Sequence, residues 1–324
     1  LTFFKCKICV YLHQFKLLHV NLKKTFLAVL LVSFFVNADA QRWKKLRQEV
    51  TFGAGTTWLL GDVGGYKDVP SNSVLDMNFK ETSWGVCAGY NYYLSKNISL
   101  NGQFSYLWLK ARDASAKNAA RLQRNLDIQT QVYEIGILGR YYFIREKFGE
   151  AFRLKGTQND FLYGLSMYAT TGIQGLYFNP TGKYIGATKY KPLSNIGTEG
   201  QTVAGSGIAP YKKFTLAIPL GIGVKYSLGK HWNVGAEYMF RKAFSDYIDD
   251  VSGVYYDNNA IIAANDGNQE AGLLADPANR NGDKASWTNP GERRGSEKSD
   301  DFYMTFMFTV SYKILKAKAF KPRF

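Results

Sequence analysis

The segment SDYIDDVSGVYYD, residues 245–257, gathers four carboxylates: Asp246, Asp249, Asp250 and Asp257. Hard oxygen ligands of this kind would suit calcium, but the spacing lacks the regular alternation of an EF-hand loop. The four acids therefore read as solvated loop groups and turn caps. A general base would be the other chemistry to look for, and histidine is the usual one. Beyond residue 40 the chain has one histidine, His231, and one cysteine, Cys87. That pair excludes a disulfide framework and argues against a structural zinc site. Cys87 reads as a small packing residue.

The amino-terminal part has a different character. In NLKKTFLAVLLVSFFVNADA the basic start at Lys23 and Lys24, the apolar run from Phe26 to Val36 and the A-x-A pattern at Ala38 and Ala40 have the form of a secretory signal, with cleavage expected between Ala40 and Gln41. The run is about half the roughly 20 residues of a membrane-spanning helix. Residues 1–19 precede this signal and look unrelated to it; translation is expected to start near Val20, with the first segment a gene-model artefact. The expected division is thus 1–19 artefact, 20–40 signal peptide, 41–315 folded domain and 316–324 basic tail. Loss of residues 1–40 would lower the net charge of +15 and remove Cys6, Cys9, His13 and His19. The remaining Lys and Arg are spread along the chain without a dense basic block, so nucleic acid is not an expected partner.

The elements that must carry these residues are strands. Tyr and Phe number 22 each against 8 Pro, a balance that favours β-structure. In FTLAIPLGIGVKYSLG, residues 214–229, every even position from Phe214 to Leu228 is apolar, while the odd positions are small or polar. The same period of two recurs in TSWGVCAGYNYYL, ISLNGQFSYLW, HWNVGAEYMF and FYMTFMFTVSYKI, and further strands are expected near 48–60, 123–144 and 161–177. That makes eight strands. Their links alternate: short at 95–97 and 228–231 and moderate at about 145–160, but long at about 60–81, 110–122, 178–212 and 245–300. Such sorting is the pattern of an outer-membrane barrel with periplasmic turns and extracellular loops.

The pattern predicts an all-β fold: an eight-stranded antiparallel transmembrane β-barrel with one face on outer-membrane lipid and the other in the lumen. Trp58, Trp108, Trp232, Tyr93, Tyr141 and Tyr312 suit interfacial girdles. Parity sends Glu49, Glu134, Arg140, Lys225, Glu237, Arg241 and Lys313 inward, as a structural plug of ion pairs in a lumen just wide enough for side chains. Pro219 within a closed sheet should cost one ladder hydrogen bond or force a bulge; a bulge is expected, with Ala217 and Gly221 facing the lumen. His231 falls in a short periplasmic turn, whereas enzymes among small barrels carry their base at the extracellular rim, so no enzyme and no cofactor is expected.

Four segments carry a family resemblance. TFGAGTTWLLGDVGG, IGTEGQT, FTLAIPLGIGVKY and RKAFSDYIDDVSGVYYD, between about residues 48 and 257, resemble the signature segments of the PorG-like outer-membrane barrels of Bacteroidetes. The matching positions are Gly61, Asp62 and Gly64, then Thr198, Glu199, Gly200 and Gln201, then Asp246, Tyr247, Asp249, Asp250 and Ser252. The resemblance implies an anchor or assembly component of the type IX secretion system that associates with periplasmic ring proteins, with no catalytic duty for these residues. The link around Arg145, Lys147, Arg153 and Lys155 and the tail KAKAFKPRF would form the periplasmic surface. A binding or adhesion barrel acting through loop 245–300, and a small-solute pore, are the alternatives.

Overall fold

In the computed structural model the described residues are 47–65, 78–146, 164–229, 231–278, 287–296 and 300–314. The expected signal peptide, its cleavage site, Lys147, Arg153, Lys155 and the basic tail lie outside them. Eight long strands are present: β1 (Gln48–Leu60), β2 (Ser83–Tyr93), β3 (Ile98–Arg112), β4 (Asp127–Ile144), β5 (Leu165–Gly182), β6 (Phe214–Ser227), β7 (Trp232–Ala243) and β8 (Phe302–Ile314). Each pairs antiparallel with its sequence neighbours. β1 also pairs with β8 from Gln48↔Ile314 to Leu60↔Phe302, which closes the sheet into a barrel. Closure leaves no open edge, the condition lipid imposes on a spanning sheet. Among the described residues no helix is long and apolar enough to cross a membrane.

The period of two decides which side chains face lipid. Phe52, Ile135, Ile137, Ile173, Leu220 and Ile222 point outward and are more than three-fifths exposed on the isolated chain, as a lipid-facing surface must be. Alternate residues point into the lumen. Gly223 is one of them, and the phenol of Tyr168 fills the space a Cβ would need there. The small residues opposite the apolar face of FTLAIPLGIGVKYSLG are thus room for larger side chains across a narrow interior.

Three expectations are corrected. Strands β3 and β5 run on to Arg112 and Gly182, past their expected ends, and β4 begins at Asp127 after a short helix, α1 (Ala119–Arg124). The inward column of β3 to β5 continues upward as Leu109, Ala111, Ile128 and Phe178, so ladder and core extend together. Tyr93 is not a girdle residue: its odd position in β2 turns it into the lumen, 6% exposed, with its hydroxyl on Glu49. Pro219 forces no bulge, because the β5–β6 register is unchanged from Thr171↔Leu220 to Gln174↔Ala217. Gly172 and Ile173 instead lack ladder partners opposite Pro219 and Ile218, while the β7 side stays paired through Pro219↔Arg241. Ala217 and Gly221 do face the lumen. The register shift in this part of the sheet lies between Tyr142 and Ile144, at the periplasmic end of β4.

The connections after β2 and β6 close the periplasmic end, with the Leu94 and Ser95 amides donating to the Ile98 carbonyl oxygen and the Leu228 amide to that of Trp232. The long links at the other end form a folded cap. They include α1, a two-residue strand at Lys191–Pro192 paired to the end of β5, α2 (Asn258–Ala264) and α3 (Gln269–Ala275). Asp257 caps α2 by accepting from the Asn259 amide, and Asn268 caps α3 through the Glu270 amide. An apolar core spans the upper lumen and the cap, joining Leu107, Leu109, Val132 and Phe178 of the strands to Val63, Leu193, Ile248, Val251 and Leu274 of the links.

Candidate functional site

Two polar assemblies stand out, one in the lumen and one in the cap. In the lumen the strand register brings acids and bases of distant strands together. Lys225 lies 2.9 Å from Glu49, which also accepts from Tyr93 and Asn233. The rings of Tyr93, Tyr142 and Tyr168 surround the same ammonium at 5.3–5.7 Å, adding cation–π attraction. Arg140 pairs with Glu237 at 2.8 Å, and Tyr168 donates to the same carboxylate. Arg241 meets Glu134 at 3.2 Å and donates to Gln174 and Thr305; Tyr303 donates to Glu134. Lys313 reaches Glu146 at the periplasmic mouth, 2.5 Å away, and Ser227. Glu146 lies just past β4, where strand parity gives no information, and sequence reasoning missed it. All seven lumen charges singled out from the sequence are buried. Paired and hydrogen-bonded charges of this kind can be tolerated in a low-dielectric interior.

Cys87 faces the lumen against Gly53, half-buried and unpaired. His231 sits in the short turn between β6 and β7, stacked on Tyr312 at 5.4 Å. Its Nδ1 meets the Lys313 carbonyl oxygen.

The cap assembles on Arg294, which is fully buried. Its guanidinium lies 3.0 Å from Glu199, donates to the Asp250 carbonyl oxygen, and stands 3.6 Å from the Asp250 carboxylate. Asp250 accepts from Thr198 and Tyr211. Glu199 accepts from the Ser252 and Gly253 amides, and the Gln201 side chain accepts from the Glu199 amide. Gly200, at φ +89°, lies under the Tyr256 ring where a Cβ would collide. Thus TEGQ and DYIDDVS, far apart in sequence, meet around one arginine.

A second set of carboxylates ties the cap to the barrel rim. Asp249 accepts from the Val63 and Val251 amides, Asp301 from Ile248, and Asp62 from Ser296. Thr130 of β4 donates to the Ile248 carbonyl oxygen, fixing this layer to the lumen wall. Gly61 lies so close to Asp249 and Asp301 that a Cβ there would strike both carboxylates. Arg124 of α1 pairs with Asp113 at 2.7 Å and donates to the Asp62 carbonyl oxygen.

Asp246, Asp249 and Asp250 are not the solvated loop groups their sequence suggests, whereas Asp257 is exposed and caps α2 as a turn acid would. Asp249 and Asp250 are wholly buried and Asp246 is partly buried, because the loops fold inward over the mouth. Burial raises Asp249 to about 7, with the neighbouring Asp62 adding to the effect. Burial likewise raises Asp246 to about 8. Asp250 rises only to about 6, since Arg294 opposes the desolvation. Asp301 is held well above the usual carboxylate range by burial and by Asp249 and Asp246. Among the described residues these acids form no group that could hold a metal ion. Beside them a cavity of about 670 Å³ is lined by Asp62, Arg121, Arg124, Tyr255, Glu292 and Arg293, among others.

A closed eight-stranded antiparallel barrel with an apolar outer belt and a filled lumen defines an outer-membrane barrel. Residues 26–265 match the model of the outer membrane protein beta-barrel domain, and the chain belongs to that family. Among solved structures it is similar to Ail, the attachment invasion locus protein of Yersinia pestis, at 10% identity and TM-score 0.34, covering 82% of this chain and 98% of that one. It is similar to OprG from Pseudomonas aeruginosa at 13% identity and TM-score 0.34, covering 83% and 96%, and to the E. coli outer membrane protein W at 13% and 0.30, covering 82% and 98%. No curated protein matches the chain.

Proposed function

We propose that the chain is a non-enzymatic outer-membrane anchor or assembly component of the type IX secretion system, as its resemblance to the PorG-like barrels implies. The observation that carries this reading is the convergence of the resemblance motifs: Thr198, Glu199 and Gln201 meet Asp250 and Ser252 around Arg294 and build the cap. Motif residues spent on holding a cap in one shape fit a barrel that works through its surfaces. The filled lumen fits the same role, since ion pairs, tyrosines and the apolar upper core occupy the space a solute would cross. Periplasmic ring proteins are the partners this role requires.

The test is to purify the mature protein from detergent-solubilised outer membrane and identify what accompanies it. Recovery of the ring proteins supports the role, and normal export of type IX cargo after gene deletion removes it. A second reading, a barrel that binds an external ligand through its loops, draws on the cavity of about 670 Å³ in the cap. Deleting the 245–300 loop would then abolish surface binding while secretion continues.

A further inference from the structure

We propose that the outward wall of β3, β4 and β5 carries a binding site for the phosphate groups of an outer-leaflet lipid. These are the longest strands, at 15, 18 and 18 residues, against 11, 12 and 13 in β2, β7 and β8. They therefore continue beyond the hydrocarbon on one side of the barrel. Their outer face changes chemistry at one level. Tyr106, Tyr133 and Tyr177 share a register row and pack ring to ring at 4.9 and 6.3 Å, with Trp84 and Trp108 against Tyr106. Amphipathic rings of this kind mark the boundary between hydrocarbon and headgroups.

Above that row the lipid-side positions turn polar and then basic. Gln131 and Asn179 come first, then Lys110 with Gln129 and Thr181, then Arg112 with Asp127 and Lys183. Lys110 stands four residues past Tyr106, about 10 Å farther along the membrane normal for strands rising ~3.3 Å per residue at a tilt of ~40°. That places it among lipid headgroups.

The basic groups outnumber their acids on this face. Asp127 is shared by Arg112 at 3.1 Å, Lys183 at 3.7 Å and the Tyr190 hydroxyl at 2.7 Å. One carboxylate thus holds two cations in place without neutralising both, and those cations remain 41% and 32% exposed. Glu81, held by Ser115 and lining the same small pocket as Lys110, is the other acid acting on Arg112, so three cations face two acids. Side-chain amides flanking fixed cations are the chemistry that recognises a phosphomonoester, and the aromatic row below would meet its acyl chains.

The experiment is native mass spectrometry of the full-length mature barrel with a diphosphorylated lipid A and with its dephosphorylated form. Retention of the phosphorylated lipid should exceed that of the other form. It should fall tenfold or more in Lys110→Gln/Arg112→Gln/Lys183→Gln, because each basic group near an anionic lipid surface contributes about fivefold in affinity. Lys110→Gln/Lys183→Gln, which leaves the Arg112–Asp127 pair intact, should show an intermediate loss. Heat-modifiable gel migration confirms that each variant is folded. Equal lipid retention by folded triple variant and wild type overturns the proposal. So does displacement of the lipid by millimolar inorganic phosphate, which would mark a site for soluble anions.

Discussion

Arg294 and Glu199 lie 95 residues apart in sequence, yet their charged groups meet at 3.0 Å in the interior of the extracellular cap. Because Asp250 leans on the same guanidinium, replacing Arg294 leaves two buried carboxylates without their cation. The variant Arg294→Met should destabilise the cap by about 3–5 kcal/mol. Hydrogen exchange over residues 196–203 and 247–257 should rise sharply while the strand amides stay protected. Unchanged exchange in the cap would refute this account of its stability.

The pH dependence of the cap follows from Asp249, raised to about 7, and Asp246, raised to about 8. Both sit above the ordinary aspartate value of about 3.9, so the closed cap binds protons that open loops would release. The contribution of these two groups is complete below about 3.9 and is lost progressively as pH rises from there through about 7 to 8. Facing these acids are Asp62, Asp301, Glu199, Ser252 and Arg124, and Arg121 and Arg293 in turn act on Asp62. Protease cleavage within 245–257 should therefore be slower at pH 6 than at pH 9 after correction for the protease's own pH profile. Asp249→Asn should flatten the difference. Cleavage that slows toward pH 9 would contradict the assignment.

In the lumen, Lys225→Met leaves Glu49 buried without its cation. A loss of about 3–5 kcal/mol is expected for one broken buried pair, read as a lower urea midpoint in lipid vesicles. Adding Glu49→Gln should restore most of the loss, since a neutral amide still accepts from Tyr93 and Asn233. A double variant as unstable as the single one would mean that charge burial is not the cause.

Pro219→Ala supplies an amide hydrogen where the β5–β6 ladder lacks pairing, opposite Gly172. Because the register already matches on both sides, the new amide should become exchange-protected, with a gain of up to about 1 kcal/mol. Rapid exchange at position 219 would show that the proline has spread the strands there.

Reconstitution into planar bilayers should give no steady conductance, because the apolar upper core and the ion-pair layers fill the passage. Stable channel steps from folded protein would overturn that expectation.

The barrel was legible because one physical demand, a lipid-facing side alternating with a lumen-facing side, repeats along every strand. Parity alone sends Glu49, Glu134, Arg140, Lys225, Glu237, Arg241 and Lys313 inward, and applied to the last residue of β2 it would also have placed Tyr93 inside. Partner identity was not legible, since which acid meets which base depends on shear between strands. The cap was hidden for a different reason. Its links have no single period, and an Asp that accepts backbone amides in a closed mouth has the same local sequence as one that faces water. The helix at 258–264 and Arg294 lie in a stretch where no motif or periodicity pointed to structure, though the apolar Ile261 and Ile262 before an Asn/Gly break gave a faint signal.

The separation of Arg294 from its partners also constrains biogenesis. Glu199 arrives on the link between β5 and β6, whereas Asp250 and Arg294 arrive on the link between β7 and β8. Glu199 must cross the hydrocarbon layer apart from its arginine, with no cation to offset the transfer cost, whereas Asp250 and Arg294 travel on one link. Arg294 can meet Glu199 only once both links have crossed, so sealing of the outer mouth waits on the last hairpin.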